Sequence, residues 1–327
     1  MPLELKWENL TVQGCDKRLI TDQLTYSNDV RRIVGVMEDL LDTGSDIFPE
    51  VVTRGRTRLT CCALGKRFLS CLKIDVKEIS RRYRRHKLNP LFTLFKWHTR
   101  ALRRSYLELD VHSAAQFRLV VDQMRAWLSG QALPRRLDRL ERGERANWRS
   151  VRTRLDGLRA SRSKVVAVRL DLEYYALFGS AGGFSPQAVT VNEARAHRSA
   201  FVKYLRKGPY SKHMVGYTWA MEAGFEKGVH FHFAVFFDGQ QVCRDIVLGD
   251  ALGKHWETIT DGRGYAFNCN KRKEQYLYLG IGMLNRADDL VWANLHKAVR
   301  YLTKAQVYAR PLVARKVRLF GVGGFRK

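Results

Sequence analysis

Gly228-Val229-His230-Phe231-His232-Phe233-Ala234-Val235-Phe236-Phe237-Asp238 is the stretch from which the fold of this chain is read. It is apolar, aromatic-rich and bounded by glycines, the pattern of a β-strand. Successive strand side chains leave opposite faces, so His230 and His232 share one side while Phe231, Phe233 and Val235 enter a core on the other. Two imidazoles spaced about 7 Å along one sheet face are suited to gripping one metal ion. Buried strand histidines that only satisfy a hydrogen bond are also common, so the triplet takes its weight from its surroundings.

Working outward, Met214 to Glu222 reads as a strand, and Gly224 to Gly228 as a short turn, which makes a hairpin with the histidine strand. Glu222 would then lie near His230. A carboxylate beside two imidazoles makes a three-ligand site with open positions, of a kind that Mg²⁺ or Mn²⁺ accepts; zinc also suits the ligand types. Upstream, Lys164 to Leu172 alternates as a strand, and Asp171 and Glu173 there compete as ligands. Gly179 to Pro186 reads as a loop and Val191 to Leu205 as a helix. Val242 to Thr258 is helical in pattern, Gly264 to Cys269 strand-like, and Leu290 to Tyr308 a long helix. The tail from Lys316 is basic and contains glycines. Strands separated by helices, with a hairpin at the centre, predict an α+β fold around an antiparallel sheet.

The N-terminal half has another texture. Asn28 to Leu41, Gln116 to Leu128 and Pro134 to Arg159 carry apolar residues at helical spacing. The expected organisation is a mostly helical basic region over 1–160, an accessory or DNA-binding part, followed by a sheet domain over 161–327.

Composition narrows the partners. The 327 residues carry 58 Lys and Arg against 32 Asp and Glu, a net charge of +26. An excess of this size spread over the whole chain points to a polyanion, most often nucleic acid. Six cysteines show no paired spacing, which suits reduced thiols. No apolar run has the length of a membrane span and the start lacks a signal-peptide layout, so a cytoplasmic protein without a membrane role is expected. Gly249 to His255 imitates a phosphate loop, but is one residue short between its glycines and has His in place of Ser or Thr. ATP-driven unwinding is therefore not expected of this chain.

Tyr301-Leu302-Thr303-Lys304 lies on the last long helix, where residues i and i+3 are neighbours, so Lys304 reaches the surroundings of Tyr301. A phenol is a poor nucleophile near neutral pH, and a nearby ammonium and a metal that withdraws charge from the target phosphate both help it attack. The combination of Glu222, His230-Phe231-His232 and Tyr301-Leu302-Thr303-Lys304 resembles the HUH (histidine–hydrophobic–histidine) endonucleases. Trp219-Ala220-Met221-Glu222, Arg300-Tyr301 and Arg318-Leu319-Phe320-Gly321 bring the second half closest to the replication initiators of filamentous phages and related prophage proteins.

That resemblance implies a central antiparallel sheet with the metal site on one face. It implies His230 and His232 as metal ligands with Glu222 as the third, Mg²⁺ or Mn²⁺ as cofactor, and Tyr301 as the nucleophile assisted by Lys304. Tyr308, two turns on, is a rival nucleophile. The implied activity is site-specific nicking and joining of single-stranded DNA at an origin duplex through a 5′-phosphotyrosine link, starting rolling-circle replication with a host helicase. A relaxase, a single-tyrosine transposase, and a non-catalytic nucleic-acid-binding regulator are the alternatives.

Overall fold

The computed structural model describes residues 11–13, 18–20, 23–53, 56–84, 86–102, 111–129, 132–175, 177–178, 184–185, 189–224, 228–311 and 317–325, and for 11–13, 18–20, 23–25, 27, 53, 56–58, 111–112, 128–129, 132, 177–178, 184–185, 223–224 and 304–311 the backbone alone. The chain begins with a ribbon of β1 (Thr11–Gln13) and β2 (Arg18–Ile20), followed by helix α1 (Gln23–Asp42) and a ribbon of β3 (Glu50–Thr53) and β4 (Arg56–Leu59). Helices α2 (Ala63–Leu72) and α3 (Val76–Arg82), strand β5 (His86–Leu88), and helices α4 (Pro90–His98), α5 (Val111–Ser129) and α6 (Ala132–Ser161) come next. The second half runs through β6 (Lys164–Tyr174), a ribbon of β7 (Leu177–Phe178) and β8 (Phe184–Ser185), α7 (Val191–Lys207), β9 (Met214–Gly224) and β10 (Gly228–Asp238). It ends with α8 (Asp245–Ile259), β11 (Gly264–Asn268), β12 (Gly282–Asn285), α9 (Asp289–Tyr308), β13 (Ala309–Pro311) and β14 (Phe320–Gly323).

Two compact units form, one from Asp22–Arg142 and one built around Gly143–Gln306. In the first, Val30, Ile33, Val34, Met37 and Leu40 of α1 are buried with Phe68, Phe92, Phe95 and Phe117. Their spacing along α1 is the helical stripe seen in the sequence. Helix starts are capped locally: the Asp75 carboxylate accepts from the amides of Lys77 and Glu78, and Asn89 accepts from Leu91, with Pro90 in the first turn.

The second unit is an antiparallel sheet in the order β11-β6-β10-β9-β14, with β12 also paired to β6. β10 is its central strand, buried from Val229 to Phe237. Its alternation separates two cores. Phe231, Phe233, Val235 and Phe237 meet Phe201 and Leu205 of α7 and Leu248, Leu252 and Trp256 of α8. Ala234 and Phe236 face the other way, toward Val151, Leu155 and Leu158 of α6 and Trp292, Leu295, Val299 and Leu302 of α9. The fold is thus α+β, as its element order predicts. Helix α6 divides between the units at Arg142 and Gly143, because its second half packs on the sheet, ahead of the change in texture at Ser163.

Two edge elements have no counterpart in the sequence reading. β12 lies in the segment before α9, and β14 turns the glycine-containing tail into a strand beside β9. Gly321 lies flat against Trp219, where a Cβ would come 2.5 Å from the indole Nε1. Such a strand carries no alternation to read. α8 starts at Asp245, after a turn closed by the Val242 amide donating to the Asp238 carbonyl. The expected loop at 179–186 and the turn at 225–227 fall mostly outside the described residues. No helix among the described residues is long and apolar enough to cross a membrane.

Candidate metal centre and the face it occupies

Register, set by the two neighbours of β10, assembles the site. His230 pairs with Glu222 on β9, and His232 pairs with Ala220 on β9 and Asp171 on β6. Residues directly opposite in an antiparallel pair share a face with Cβ atoms about 4.5–5.5 Å apart. Both histidines, Glu222 and Asp171 therefore rise from the face that α9 covers further along.

Glu222, His230 and His232 each bring one ligand atom to a common point, all within 4.8 Å of one another. The His230 Nε2 lies 3.7 Å from Glu222 Oε2, and the His232 Nε2 lies 3.4 Å from Glu222 Oε1. Ligands bound at about 2.0–2.2 Å to one ion stand roughly 3–3.6 Å apart, so the two His–Glu spacings are already close to those of a bound set, while the widest spacing in the trio has to close by about 1 Å for all three to hold one metal. The remaining ring nitrogens are engaged behind. His230 Nδ1 donates to the Gly228 carbonyl at 3.1 Å, and His232 Nδ1 donates to Asp171 Oδ1 at 2.5 Å. In the neutral rings these bonds fix the tautomers that leave the Nε2 lone pairs on the side of Glu222, as supporting groups do around bound metals.

The electrostatics match. Burial alone lowers the pKa of His232, but the charges of Asp171 and Glu222 and the hydrogen bonds to both outweigh it and raise the value to about 10. In the metal-free protein a proton thus supplies the positive charge that these carboxylates demand.

Of the first-strand carboxylates expected to compete as ligands, neither joins the cluster. Asp171 is turned to His232, and Glu173 accepts from the Tyr265 hydroxyl. The alternation Arg169-Leu170-Asp171-Leu172-Glu173, three charges on one face of an otherwise apolar strand, marked this row. What the sequence reading missed is Arg169 itself. Its side chain rises beside Asp171, with Nη2 at 3.5 Å from Asp171 Oδ1 and a buried Nε that has no hydrogen-bond partner among the described residues. A buried donor left unfilled costs about 1–3 kcal/mol. Burial works against the charge of Arg169, but Asp171 and the side chains of Cys269, Tyr276 and Tyr301 around it keep its pKa above that of a free arginine.

Tyr301 is half-buried on α9, held by the stripe of Trp292, Leu295, Val299 and Leu302 that packs on the sheet. One residue beyond that stripe, the buried Thr303 hydroxyl lies 2.7 Å from the Arg300 carbonyl and 3.4 Å from Glu144 of α6. Tyr301 therefore belongs to the same side of the sheet as the histidine cluster. The side chains of Lys304 and Tyr308 lie outside the described residues, although α9 ends at Tyr308, as Pro311 leads one to expect.

A family model described as the YagK/YfjJ C-terminal domain matches residues 142–323, more than half of the chain. The chain belongs to that family. The matched segment opens where the sheet unit opens in α6 and closes with β14, so it holds every ligand candidate together with Tyr301 and Lys304. No curated protein and no solved structure matches the chain.

Proposed function

We propose that the sheet unit is a metal-dependent tyrosine endonuclease that nicks and rejoins single-stranded DNA, and so starts rolling-circle replication of a phage or related mobile element. The observation that carries this reading is the cluster of Glu222, His230 and His232 on the sheet face over which α9 holds Tyr301. The likeness to HUH endonucleases rests on the same residues. A net charge of +26 supports a nucleic-acid partner.

When bound by Glu222, His230 and His232, Mg²⁺ or Mn²⁺ supplies Lewis acidity toward a phosphodiester oxygen. The chain's own residues do the rest. Asp171 and the Gly228 carbonyl hold the two imidazoles in the ligating tautomer. The Tyr301 oxygen bonds to phosphorus while the bond from phosphorus to the 3′-oxygen breaks. The phenolic proton ends on the leaving 3′-hydroxyl, and the 5′ side stays linked to the protein as a phosphotyrosine diester. Lys304 offsets charge at the phosphate. Origin duplex and a host helicase are the partners this activity needs.

The test is incubation with labelled single strands spanning the DNA around its own gene, plus Mn²⁺, followed by a denaturing gel. The wild type and Tyr308→Phe are expected to form a covalent adduct, and Tyr301→Phe none. An adduct on Tyr308 replaces the single-tyrosine mechanism by a two-tyrosine one. If the wild type forms no adduct and takes up no metal, the histidines are structural and the chain is a nucleic-acid-binding regulator.

A further inference from the structure

The face between the ligand cluster and α9 carries a cation that the fold leaves largely unused. Arg169 stands two residues before Asp171 on β6, so it shares the face of Asp171 and the histidines. Its partner on β10 is Ala234, two residues after His232. Arg169 is thus one row along from the His232–Asp171 pair, about 7 Å by the strand rise. That row lies toward α9, and Tyr301 is among the groups whose charge Arg169 feels.

The Arg169 side chain is only 18% exposed, and its one ion pair among the described residues is the single 3.5 Å contact to Asp171. The oxygen it touches is already bonded to His232 at 2.5 Å. An arginine present only to neutralise Asp171 would close a short, two-pronged pair. Arg169 keeps its Nε and most of its planar fork open instead. Such a fork, pre-charged and dry, matches two oxygens of a phosphate. Three other arginines of the unit are committed to carboxylates: Arg162 to Asp238, Arg159 to Asp289 and Arg263 to Glu193.

We propose that Arg169 is a catalytic residue that grips the non-bridging oxygens of the scissile phosphodiester, between the Glu222–His230–His232 cluster and Tyr301. This rests on the nickase reading above. As the Tyr301 oxygen bonds to phosphorus and the 3′-oxygen departs with the phenolic proton, negative charge grows on the non-bridging oxygens. Arg169 meets it without gaining or losing a proton.

The experiment compares the full-length wild type, Arg169→Gln and Arg169→Lys on two strands. One has an ordinary phosphodiester at the nicked linkage. The other has a methylphosphonate, in which a methyl group replaces one charged oxygen. Arg169→Gln is expected to slow adduct formation on the phosphodiester about 10²–10³-fold, the loss typical of a removed oxyanion donor. On the methylphosphonate its deficit should be much smaller, because one of the two charged oxygens that the fork grips is gone. Arg169→Lys should recover part of the rate, as a point charge without the fork. Mn²⁺ affinity, read by electron paramagnetic resonance, should be unchanged. The proposal is overturned by wild-type rates in Arg169→Gln, by equal slowing on both linkages, or by metal affinity that falls in step with activity. If Arg169→Gln does not fold, Arg169→Lys decides on the same two strands. A wild type that binds Mn²⁺ yet forms no adduct removes the nickase reading and this proposal with it, and that failure is visible before any variant is compared.

Discussion

Raising the pH should load the metal site. The Nε2 of His232 is the atom that a metal must claim, and in the metal-free protein Asp171 and Glu222 favour a proton there, overcoming burial to raise the pKa to about 10. A metal needs the lone pair, so binding expels that proton. At pH 7.5 uptake of one Mn²⁺ should release about one proton, and apparent affinity should climb about tenfold per pH unit until the pH nears 10. The rise from the ordinary 6.5 to about 10 corresponds to roughly 5 kcal/mol between the two protonation states, shared between the two carboxylates. Asp171→Asn keeps an oxygen that can accept from Nδ1 but removes one charge, so it should lower the pKa, release less proton at pH 7.5 and flatten the slope. The same proton affects stability, with a definite sign. The folded pKa lies above the unfolded one, so the metal-free protein has the full contribution below about pH 6.5 and loses it as the pH rises through about 10. Titration calorimetry in buffers of different ionisation enthalpy counts the protons, and urea midpoints with a chelator, wild type against Asp171→Asn, follow the stability. Zero proton release at pH 7.5, or an affinity flat from pH 6.5 to 8.5, would refute the reasoning.

Further expectations follow from packing and charge. Replacing both His230 and His232 by Ala should abolish Mn²⁺ binding while leaving affinity for single-stranded DNA intact, since the basic residues are unchanged; filter binding and paramagnetic resonance read the two separately. A Cβ on Gly280 would come 2.3 Å from the Leu295 amide nitrogen, so Gly280→Ala should push on α9, cost about 1–3 kcal/mol and reduce adduct yield with metal affinity kept; an unshifted melting temperature contradicts this. Phe233 is fully buried with its ring 5.0 Å from that of Phe201, and Phe233→Ala should cost about 3–5 kcal/mol in urea unfolding; a cost under about 1 kcal/mol would mean that the core had closed over the gap.

How much of this was legible depends on the range over which each feature is encoded. The hairpin with Glu222 opposite His230 follows from two strand patterns and a short glycine-bounded turn, and such a turn leaves few registers open. Helices α1, α5, α6 and α9 follow from apolar spacing at 3.6 residues per turn. Strand β14 was not legible, because Gly321 and Gly323 are there to let the backbone lie against Trp219 and Tyr217, a need that arises only when β9 is its neighbour.

By itself, then, the sequence determined an α+β chain with a strand placing two histidines on one face, a carboxylate across a hairpin, a tyrosine on a late helix, and a charge suited to a polyanion. Each of these is a local pattern or a sum over residues. Only the tertiary structure decided among the carboxylates. The pairing of β10 with β6 puts Asp171 behind His232 as its support, while Glu222 comes forward as the ligand candidate and Glu173 turns to Tyr265. The same pairing set Arg169 beside Ala234 with its donors open. Strands β6 and β10 are some sixty residues apart in the chain, and a shift of one residue between them would send Arg169, Asp171 and Glu173 to the opposite face. That register is fixed by burial on both sides of the sheet, which no stretch of sequence read alone contains.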